Sequence, residues 1–449
     1  MKLIDYIINR SLDTPKKLFC YIDGVEYDYY TFNQHIESIQ QSIRSLDLSS
    51  NKIFLNFDKK INLLCGIIAC NREKKIPIIS PDKYDQIENM NYSSIAKSGS
   101  ELNETNCIVQ LKREIYNKEY IYNPNDIQCI MFTSGSEGPP MPVELSFDNI
   151  FYSAKSWNEI LNFSMDEVYL NILPTSHISG LSIFFRSIYF NFTVYYFKYS
   201  NNRILNYLQL VRPQYLSIVP KIADDLMRNK KSAAILKSLK TLIVGGDAID
   251  ETYFSYCMSY KIKSYISYGM TETASGIAGY FINGEKKFNL NYIGFPHKYV
   301  KINLNKDERI QIQSKMVAVN FRDSNNILIA NDYGEIKNSK LFFKSRADNV
   351  IISGGKNINI KLIENVLSDF DFNLIVTGYN DPKWGRVPIV IYEKNSRNNI
   401  NNELKIFCQR NLPKFMVPKY FIEIIQLPYL PNQKLDLGQI NHIIKNAIS

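Results

Sequence analysis

Metal centres and disulfide frameworks have little support in this sequence. The cysteines are Cys20, Cys65, Cys70, Cys107, Cys129, Cys257 and Cys408. They form no CxxC pair, and no group of cysteines and histidines has the spacing of metal ligands. We therefore expect reduced thiols in a reducing compartment.

Long apolar runs are missing as well. Met1–Arg10, with the sequence MKLIDYIINR, lacks the basic start and the apolar stretch of a signal peptide. No later segment has the roughly 20 consecutive apolar residues that cross a bilayer. These absences predict no membrane insertion and a cytoplasmic protein, or a protein of the plastid stroma if the chain is plastid-encoded.

Charge of one sign is only in mild excess, because 53 lysines and arginines stand against 44 aspartates and glutamates, for a net charge of +9. No concentrated basic run and no interleaving of basic and aromatic residues stands out, which argues against a nucleic-acid partner. A small positive excess suits polyanionic small ligands, and it is equally typical of a solvated surface.

Material for a core is present, since hydrophobic residues make up 45% of the chain and charged residues 22%. A chain of 449 residues is too long for one compact core, so we expect a large and a small domain with a cleft between them. Short β-rich runs alternate with helical patterns, as at 51–57 before 61–70 and at 215–219 before 221–228. This alternation predicts parallel sheets covered by helices.

The pattern changes toward the C-terminus. After about Tyr299, short strands separated by Asn, Asp and Lys predict a small antiparallel or barrel-like subdomain. From Asn349 onward, strands alternate with helices at 359–367, 401–410 and 437–448. The predicted fold class is α/β: a large N-terminal domain of parallel-type sheets covered by helices, with a small barrel-like subdomain, followed by a small, mobile α+β C-terminal domain.

A loop rich in Gly, Ser and Thr at 133–140 is the clearest local signal for a ligand. It follows the apolar strand 127–132 and precedes a helix that opens near Ser146. Glycines let backbone N–H groups converge on phosphate oxygens and hydroxyls add donors, which favours an anion site over a plain tight turn. The GxxxxGK[ST] spacing of a Walker loop is absent. The candidate phosphate ligands are Thr133, Ser134, Gly135, Ser136 and Gly138.

This loop and the motifs that follow it resemble, in the same order along nearly the whole chain, those of the acyl-adenylate-forming (AMP-binding) superfamily. The later motifs are 171–181, 244–247, 267–273, 331–334, 345–358 and 427–436. The resemblance implies an ATP-dependent ligase that converts a carboxylic acid to its acyl-adenylate and then passes the acyl group to a thiol. It also implies ATP, Mg²⁺ and coenzyme A, besides the acid, as small-molecule partners.

The resemblance gives the first motifs their roles. His177 lines the acyl pocket, as a catalytic and substrate-binding residue, and gates the route to the adenylate. Gly245 and Gly246 form the turn along which adenine lies. Tyr268, which precedes Gly269 in the central nucleotide motif, offers a ring that stacks on adenine. Taken singly, such residues are more often structural, so their order along the chain carries the assignment.

The next motifs supply the groups that bind phosphate and ribose. Thr271 offers a hydroxyl to the α-phosphate and Glu272 a carboxylate to Mg²⁺, and both count as catalytic. Asp332 accepts hydrogen bonds from the ribose hydroxyls, although an Asx turn alone would also explain an aspartate there. Arg346 is placed near the ribose and the phosphate.

The C-terminal motifs resemble the parts that serve the second half-reaction. Asp348 is the hinge, Gly354 and Gly355 lie beside the pantetheine channel of coenzyme A, and Lys434 is the catalytic ammonium that enters the cleft during adenylation. The implied divisions are 1–345 for the AMP-binding domain, 346–349 for the hinge, and 350–449 for a lid domain that carries the lysine.

Some positions depart from the family pattern. Met141 stands where the family usually has a lysine, and Gln433 stands in place of the glycine before the catalytic lysine. Pro139 and Pro140 also remove two backbone donors from the loop. We therefore expect the loop to bind pyrophosphate more weakly than in a typical member. A degenerate nucleotide-binding protein without turnover stays open as an alternative function.

The short length, the run from His177 to Ser182, and Arg186 in the same helix are similar to the o-succinylbenzoate–CoA ligase branch of the family, which serves menaquinone and phylloquinone synthesis. Arg186 would pair with the second carboxylate of such a substrate, or it is an exposed helix residue. A ligase for another aromatic or fatty acid is the alternative.

Overall fold

A computed structural model describes residues 3–46, 50–79, 100–107, 109, 119–133, 140–229, 231–368, 370, 372–381, 384–394, 400–428 and 436–448. Within these ranges the chain forms 12 α-helices and 25 β-strands. The helices are α1 (Tyr6–Asp13), α2 (Tyr29–Ser45), α3 (Lys60–Arg72), α4 (Phe147–Leu161), α5 (Ile178–Phe190), α6 (Ile204–Val211), α7 (Pro220–Met227), α8 (Ser232–Lys237), α9 (Glu251–Tyr260), α10 (Ile360–Leu367), α11 (Ile400–Asn411) and α12 (Leu437–Ile448).

The strands are β1 (Leu3–Ile4), β2 (Leu18–Ile22), β3 (Val25–Asp28), β4 (Lys52–Leu55), β5 (Ile76–Ile79), β6 (Ser100–Leu102), β7 (Ile121–Tyr122), β8 (Ile127–Phe132), β9 (Pro142–Ser146), β10 (Val168–Asn171), β11 (Thr193–Tyr196), β12 (Tyr215–Ile218), β13 (Thr241–Gly245), β14 (Ser264–Met270), β15 (Ser275–Phe281), β16 (Tyr292–Pro296), β17 (Val300–Leu304), β18 (Arg309–Ser314), β19 (Ile327–Lys337), β20 (Lys340–Arg346), β21 (Val350–Ser353), β22 (Lys356–Asn359), β23 (Leu374–Asp381), β24 (Gly385–Glu393) and β25 (Tyr420–Ile424).

The largest sheet has 13 strands in the order β17-β18-β19-β20-β16-β15-β14-β13-β12-β10-β11-β2-β3. Strands β2, β11, β10, β12, β13 and β14 run parallel, as the alternation of strands and helices predicts. Helices α6, α7 and α9 connect successive strands of this run and pack with them into one core, which includes Leu216, Val244 and Phe254. The strands of a covered parallel sheet are buried on both faces, and for that reason their sequences are nearly continuously apolar.

The other part of this sheet is antiparallel. Strand β16 pairs with both β15 and β20, and β17 to β20 form a meander around an apolar cluster that includes Ile310, Ile312 and Leu341. This meander is the small subdomain that the short strands after Tyr299 predict. Because β16 joins it to β15, the subdomain continues the large sheet.

A second sheet has the order β6-β4-β5-β8-β9. Its last two strands form an antiparallel hairpin, whose connection is the loop rich in Gly, Ser and Thr. Helix α4 begins at Phe147, after Ser146 and Asn149 form a capping box. The prediction of a helix that opens near Ser146 is confirmed, but the five residues of β9, which the sequence did not predict, put about 17 Å of extended chain between the loop and the helix. The N-terminus of α4 therefore does not belong to the loop.

The C-terminal part forms its own five-stranded sheet, β22-β21-β24-β23 with β25 on β24. Helices α10 and α11 pack on it through a separate core that includes Ile363, Tyr392 and Leu404. A 3₁₀ turn at Ala347–Asn349 connects β20 to β21. The mixture of helices and strands agrees with the predicted α+β unit, while the hinge at 346–349 and the mobility of the unit stay predictions.

Within the described ranges, no helix has both the length and the apolar composition needed to span a bilayer. All seven cysteines are buried and form no disulfide. Burial raises the pKa of the Cys20 and Cys65 thiols well above the ordinary value, so these side chains behave as small apolar groups of the core.

A buried ion pair joins the N-terminal segment to α3. Asp5 Oδ2 accepts hydrogen bonds from Arg72 Nε at 2.7 Å and from the Tyr122 hydroxyl at 3.0 Å. The other guanidinium nitrogens donate to Gln40 and Asn33, and Asp5 and Arg72 are each 5% exposed. Burial alone would raise the pKa of Asp5, but the charge and hydrogen bonds of Arg72 hold it below its ordinary value.

We predict that Arg72→Ala lowers the free energy of unfolding by about 3–5 kcal/mol, because it leaves the Asp5 carboxylate buried without a counter-charge. Arg44→Ala removes a more exposed ion pair, with Glu73, and should cost at most about 1 kcal/mol. Since the pair lowers the Asp5 pKa, its stabilisation is present above the unfolded-state pKa and is lost as pH falls through the native-state pKa. Urea unfolding at neutral pH measures the difference, and equal losses in the two variants would contradict the prediction.

Candidate active site

Two predicted nucleotide motifs lie side by side at the carboxyl ends of parallel strands. Strands β13 and β14 are neighbours, with Gly245 opposite Ser267. Gly246 has a φ of +92°, a backbone conformation that residues other than glycine rarely adopt. Ligands of open α/β sheets bind at this end of the strands. The fold therefore brings the predicted adenine turn next to the Tyr268 motif.

Tyr268 reaches from this motif to a third one. Its hydroxyl donates a short hydrogen bond to Asp332 Oδ2, 64 residues further along the chain. Burial and the negative charge of Asp332 raise the pKa of Tyr268 well above its ordinary value, so the phenol is protonated and acts as the donor. The sequence assigned the ring of Tyr268 to adenine and gave no signal for this contact of its hydroxyl.

Asp332 lies within strand β19, so the alternative of an isolated Asx turn is wrong. The residue is 8% exposed, and its register partner on β20 is Arg346. Arg346 Nε lies 4.0 Å from Asp332 Oδ1, and the arginine side chain is 44% exposed. Three predicted nucleotide-binding residues from separate motifs, Tyr268, Asp332 and Arg346, therefore meet at one place.

Thr271 and Glu272 lie on the 3₁₀ turn Thr271–Thr273, between β14 and β15. The Glu272 carbonyl oxygen accepts a hydrogen bond from Ala318 N–H at 2.8 Å, which fixes the backbone of the turn. Burial raises the pKa of the Glu272 carboxyl, and the charge of Arg346 partly offsets that effect. A carboxylate that burial destabilises gains from a bound cation, so the residue is suited to a metal.

His177 lies at the N-terminus of α5, in a turn that is fixed by hydrogen bonds of Asn171 and by the close approach of Gly180 to the backbone. Asn171 Nδ2 donates to the Gly180 carbonyl oxygen at 2.9 Å, and Asn171 Oδ1 accepts from Leu173 N–H at 3.1 Å. A Cβ on Gly180 would lie 2.2 Å from the Pro174 carbonyl oxygen, so only glycine fits. The turn places His177 beside the first residue of the helix.

A small, mainly apolar packing gap, too narrow to admit a water molecule, lies between α4 and α5. It is lined by Ile150, Ser153, Ala154, Ile178, Ser182, Phe185 and Ala274. Ile178 follows His177 in the chain, and Ala274 follows the Thr271–Thr273 turn. The gap thus lies between the predicted acyl gate and the predicted adenylation turn, and in this structure it is closed to ligands.

Arg186 lies one helical turn after Ser182 and is 3% exposed, so the alternative of an exposed helix residue is wrong. Its Nη2 donates to Ser275 Oγ at 2.7 Å, and its guanidinium lies 4.4 Å from the Trp157 ring centroid. Its Nε has no hydrogen-bond partner within the described residues. Burial lowers the pKa of Arg186 to about 10, so the group is still charged at neutral pH and could bind an anion.

Two contacts that the sequence did not predict hold the segment after the adenylation turn. Ala274 and Ser275 have φ values of +52° and +131°, which are strained for residues other than glycine. Ser153 Oγ donates to the Ala274 carbonyl oxygen at 2.7 Å, and Arg186 holds the Ser275 side chain. Because both bonds join segments far apart in the chain, no local pattern marks them.

Gly354 and Gly355 form the two-residue turn between β21 and β22. Their φ values of +53° and +75° are both positive, as a type I′ hairpin turn requires. Gly354 N–H donates to the Trp384 carbonyl oxygen at 2.8 Å, and the Trp384 side chain is 49% exposed. The place of this turn in a pantetheine channel stays a prediction.

Several predicted residues lie outside the described ranges, namely Ser134, Gly135, Ser136, Gly138 and Lys434. Thr133 is described, and it closes the β8–β9 hairpin. Its N–H donates to the Met141 carbonyl oxygen at 3.0 Å, and its Oγ1 accepts from Met141 N–H at 2.9 Å. Asp348 contributes its backbone to the 3₁₀ turn before β21. The functional roles of all these residues stay predictions.

Solved structures with the same overall fold include enzymes that bind ATP. The o-succinylbenzoate coenzyme A synthetase of Bacillus subtilis, in complex with ATP and magnesium ion, superimposes with a TM-score of 0.81 at 20% identity, over 98% of this chain and 100% of that one. ATP-bound MatB from Rhodopseudomonas palustris gives a TM-score of 0.79 at 16% identity, over 100% of both chains. At these identities the likeness establishes the fold.

Curated relatives and a family match add to this. The 2-succinylbenzoate–CoA ligase of Staphylococcus epidermidis strain ATCC 12228 is 28% identical over 97% of this chain and 97% of that protein. The enzyme of the same name from Staphylococcus aureus strain JH9 is 29% identical over 71% of this chain and 68% of that protein. Residues 64–314, which include the β8–β9 hairpin, the His177 turn and the Tyr268 motif, match the family described as AMP-binding enzyme. By this match, which spans more than half of its length, the chain belongs to the family of AMP-binding enzymes.

Proposed function

We propose that this chain is an ATP-dependent acid–CoA ligase, which forms an acyl-adenylate and then a coenzyme A thioester. The observation that carries the proposal is the meeting of Tyr268, Asp332 and Arg346. Each comes from a separate motif that the family resemblance assigns to the nucleotide. The names of the curated relatives and the ATP complexes of similar fold support the same activity.

In the first half-reaction, a carboxylate oxygen of the acid attacks the α-phosphorus of ATP. The new P–O bond forms as the bond to the leaving pyrophosphate breaks, and the products are acyl-AMP and pyrophosphate. Asp332 would hold the ribose hydroxyls with its carboxylate oriented by Tyr268, and the Thr271 hydroxyl would donate to the α-phosphate. Positioning and charge neutralisation dominate such chemistry.

Magnesium is the cofactor that the family implies, and Glu272 fits it. Mg²⁺ is usually held by one or two carboxylates together with substrate phosphates and water. In the part of the chain that the structure describes, no group of three or more His, Cys, Asp or Glu forms a closed metal site. Glu272 would therefore share the ion with the phosphates of ATP, whose charge the ion neutralises when bound.

The acid that we propose is 2-succinylbenzoate, which would place the chain in menaquinone or phylloquinone synthesis. This acid has two carboxylates, so one can be activated while the other is bound. Arg186 is a buried cation whose Nε has no hydrogen-bond partner among the described residues. It follows Phe185, which lines the gap between α4 and α5, and a carboxylate is the natural partner of a guanidinium. The curated relatives carry the name of this substrate.

In the second half-reaction, the thiol sulfur of coenzyme A attacks the acyl carbon of acyl-AMP. The C–S bond forms, the C–O bond to AMP breaks, and the thiol proton is released to solvent. We propose that the C-terminal unit turns about Asp348 between the two steps, which withdraws Lys434 and brings the Gly354–Gly355 turn to the thiol.

We predict that Lys434→Ala slows acyl-AMP formation by about 100-fold or more, because it removes an ammonium placed on developing negative charge. Lys405→Ala, at an exposed position of α11, should leave the rate unchanged. Acid-dependent ATP–pyrophosphate exchange measures both. Exchange by Lys434→Ala at the unmodified rate would refute the assigned role. If the unmodified chain gives no exchange with any acid of a broad panel, the chain binds nucleotide without turnover.

Arg186→Met should lower kcat/KM for 2-succinylbenzoate by about 30-fold or more beyond its effect on benzoate, because only the dicarboxylate loses a buried charged partner. Ser275→Ala is the matched control, since it removes the partner of Arg186 Nη2 but leaves the cation, and it should leave the ratio between the acids unchanged. AMP release in the presence of coenzyme A is the measurement.

If Arg186→Met lowers kcat/KM equally for 2-succinylbenzoate and for benzoate, Arg186 has a structural role and does not bind the second carboxylate. If the unmodified chain makes no more product from 2-succinylbenzoate than from benzoate or a medium-chain fatty acid, the substrate assignment itself is wrong.

Asp348→Pro should leave adenylation near the unmodified rate and slow thioester formation, because proline fixes φ at a turn whose backbone must rotate. Asp348→Ala keeps the backbone free and serves as the control. Pyrophosphate exchange and thioester formation from supplied acyl-adenylate are measured separately. A parallel loss of both in Asp348→Pro would count against a moving domain.

A further inference from the structure

Residues 315–321, the first part of the connection between β18 and β19, contact two parts of the site that belong to different sheets. Within it, Val317 and Ala318 are 0% exposed. Asn149, at the start of α4, fixes the connection from outside, since its Nδ2 donates to the carbonyl oxygens of Lys315 and Val317, both at 2.8 Å. A segment anchored in this way cannot shift without moving the groups that are bonded to it.

Residues 315–321 form hydrogen bonds with the Thr271–Thr273 turn through Ala318 and with strand β9 through Asn320. Ala318 N–H donates to the Glu272 carbonyl oxygen at 2.8 Å, on the adenylation turn of the large sheet. The Asn320 side chain binds strand β9 of the second sheet. Its Oδ1 accepts from Glu144 N–H at 3.0 Å, and its Nδ2 donates to the Pro142 carbonyl oxygen at 2.8 Å.

Strand β9 is the last strand of its sheet, so Pro142 O and Glu144 N–H face the side where a further strand would pair. The amide side chain of Asn320 supplies the hydrogen-bond donor and acceptor that such a strand would otherwise provide. Pro142 directly follows Met141, which closes the hairpin with Thr133. The two bonds of Asn320 therefore hold the start of β9, where Met141 pairs with Thr133.

We infer that Asn320 is a positioning residue that sets Thr133, the predicted phosphate ligand, at a fixed distance from Glu272, the predicted magnesium ligand. The inference rests on the proposed function. Asn320 acts through β9 on one side and through Ala318 on the other. A metal ion shared by a carboxylate and ATP phosphates depends on this spacing, because a displacement of about 1 Å in such a site can cost about 100-fold in rate.

The test compares Asn320→Ala with Asn305→Ala in the full-length protein. Asn305 is a matched control, because its Oδ1 accepts from Asp307 N–H at 3.0 Å and from Arg309 N–H at 2.9 Å without contacting the site. Calorimetry gives the Kd of ATP with and without Mg²⁺. We expect the tightening of ATP binding by Mg²⁺ to be smaller by about fivefold or more in Asn320→Ala and unchanged in Asn305→Ala. Asn320→Leu, which keeps the side-chain size without either bond, should behave like the alanine variant.

The half-reactions provide the second measurement. ATP–pyrophosphate exchange at limiting Mg²⁺ should fall about tenfold or more in Asn320→Ala, while thioester formation from supplied acyl-adenylate should be unchanged. The inference is overturned if Mg²⁺ tightens ATP binding equally in Asn320→Ala, Asn305→Ala and the unmodified chain, or if both half-reactions fall together. Absence of exchange by the unmodified chain with every acid would refute the proposed function, and the calorimetric comparison would still decide the role of Asn320.

Discussion

One hydrogen bond, from the Tyr268 hydroxyl to the Asp332 carboxylate, joins the parallel and the antiparallel parts of the large sheet at the nucleotide motifs. Its direction is fixed, because burial and the neighbouring negative charge raise the pKa of the phenol and keep its proton in place. Arg346 lies 4.0 Å from the same carboxylate, too far for a direct hydrogen bond. The hydrogen bond from Tyr268 therefore contributes to the orientation of Asp332, and the Thr271–Thr273 turn begins three residues after that tyrosine.

The sequence was a good guide where local chemistry decides the structure. Short apolar runs that alternate with helical patterns predicted the parallel strands. The Gly245–Gly246 and Gly354–Gly355 pairs marked turns that contain glycines with positive φ. It was a poor guide where contacts join distant segments. Strand β9 was missed, since a run of five residues that begins with Pro142 has little strand character of its own. The hydroxyl contact of Tyr268 has no local signal either.

Two buried arginines show how the same residue type takes different roles. Arg72 donates to Asp5, Gln40 and Asn33, so its charge has a counter-charge and each of its three guanidinium nitrogens has a partner, as in a structural ion pair. Arg186 has a hydroxyl and an aromatic ring for neighbours, and its Nε is unpaired among the described residues. A buried charge without a counter-charge is costly, and a ligand that supplies the counter-charge removes that cost. The family resemblance singled out Arg186 and not Arg72, and the packing shows the physical difference between them.

The burial of all seven cysteines has a practical consequence for studies of motion. Thiolates are the reactive form, and burial keeps these groups protonated and away from solvent. A maleimide dye should therefore label the native protein at an introduced surface cysteine without removal of the natural ones. A pair of such dyes, one on each side of the turn at Ala347–Asn349, would report the distance between the two parts of the chain by fluorescence energy transfer.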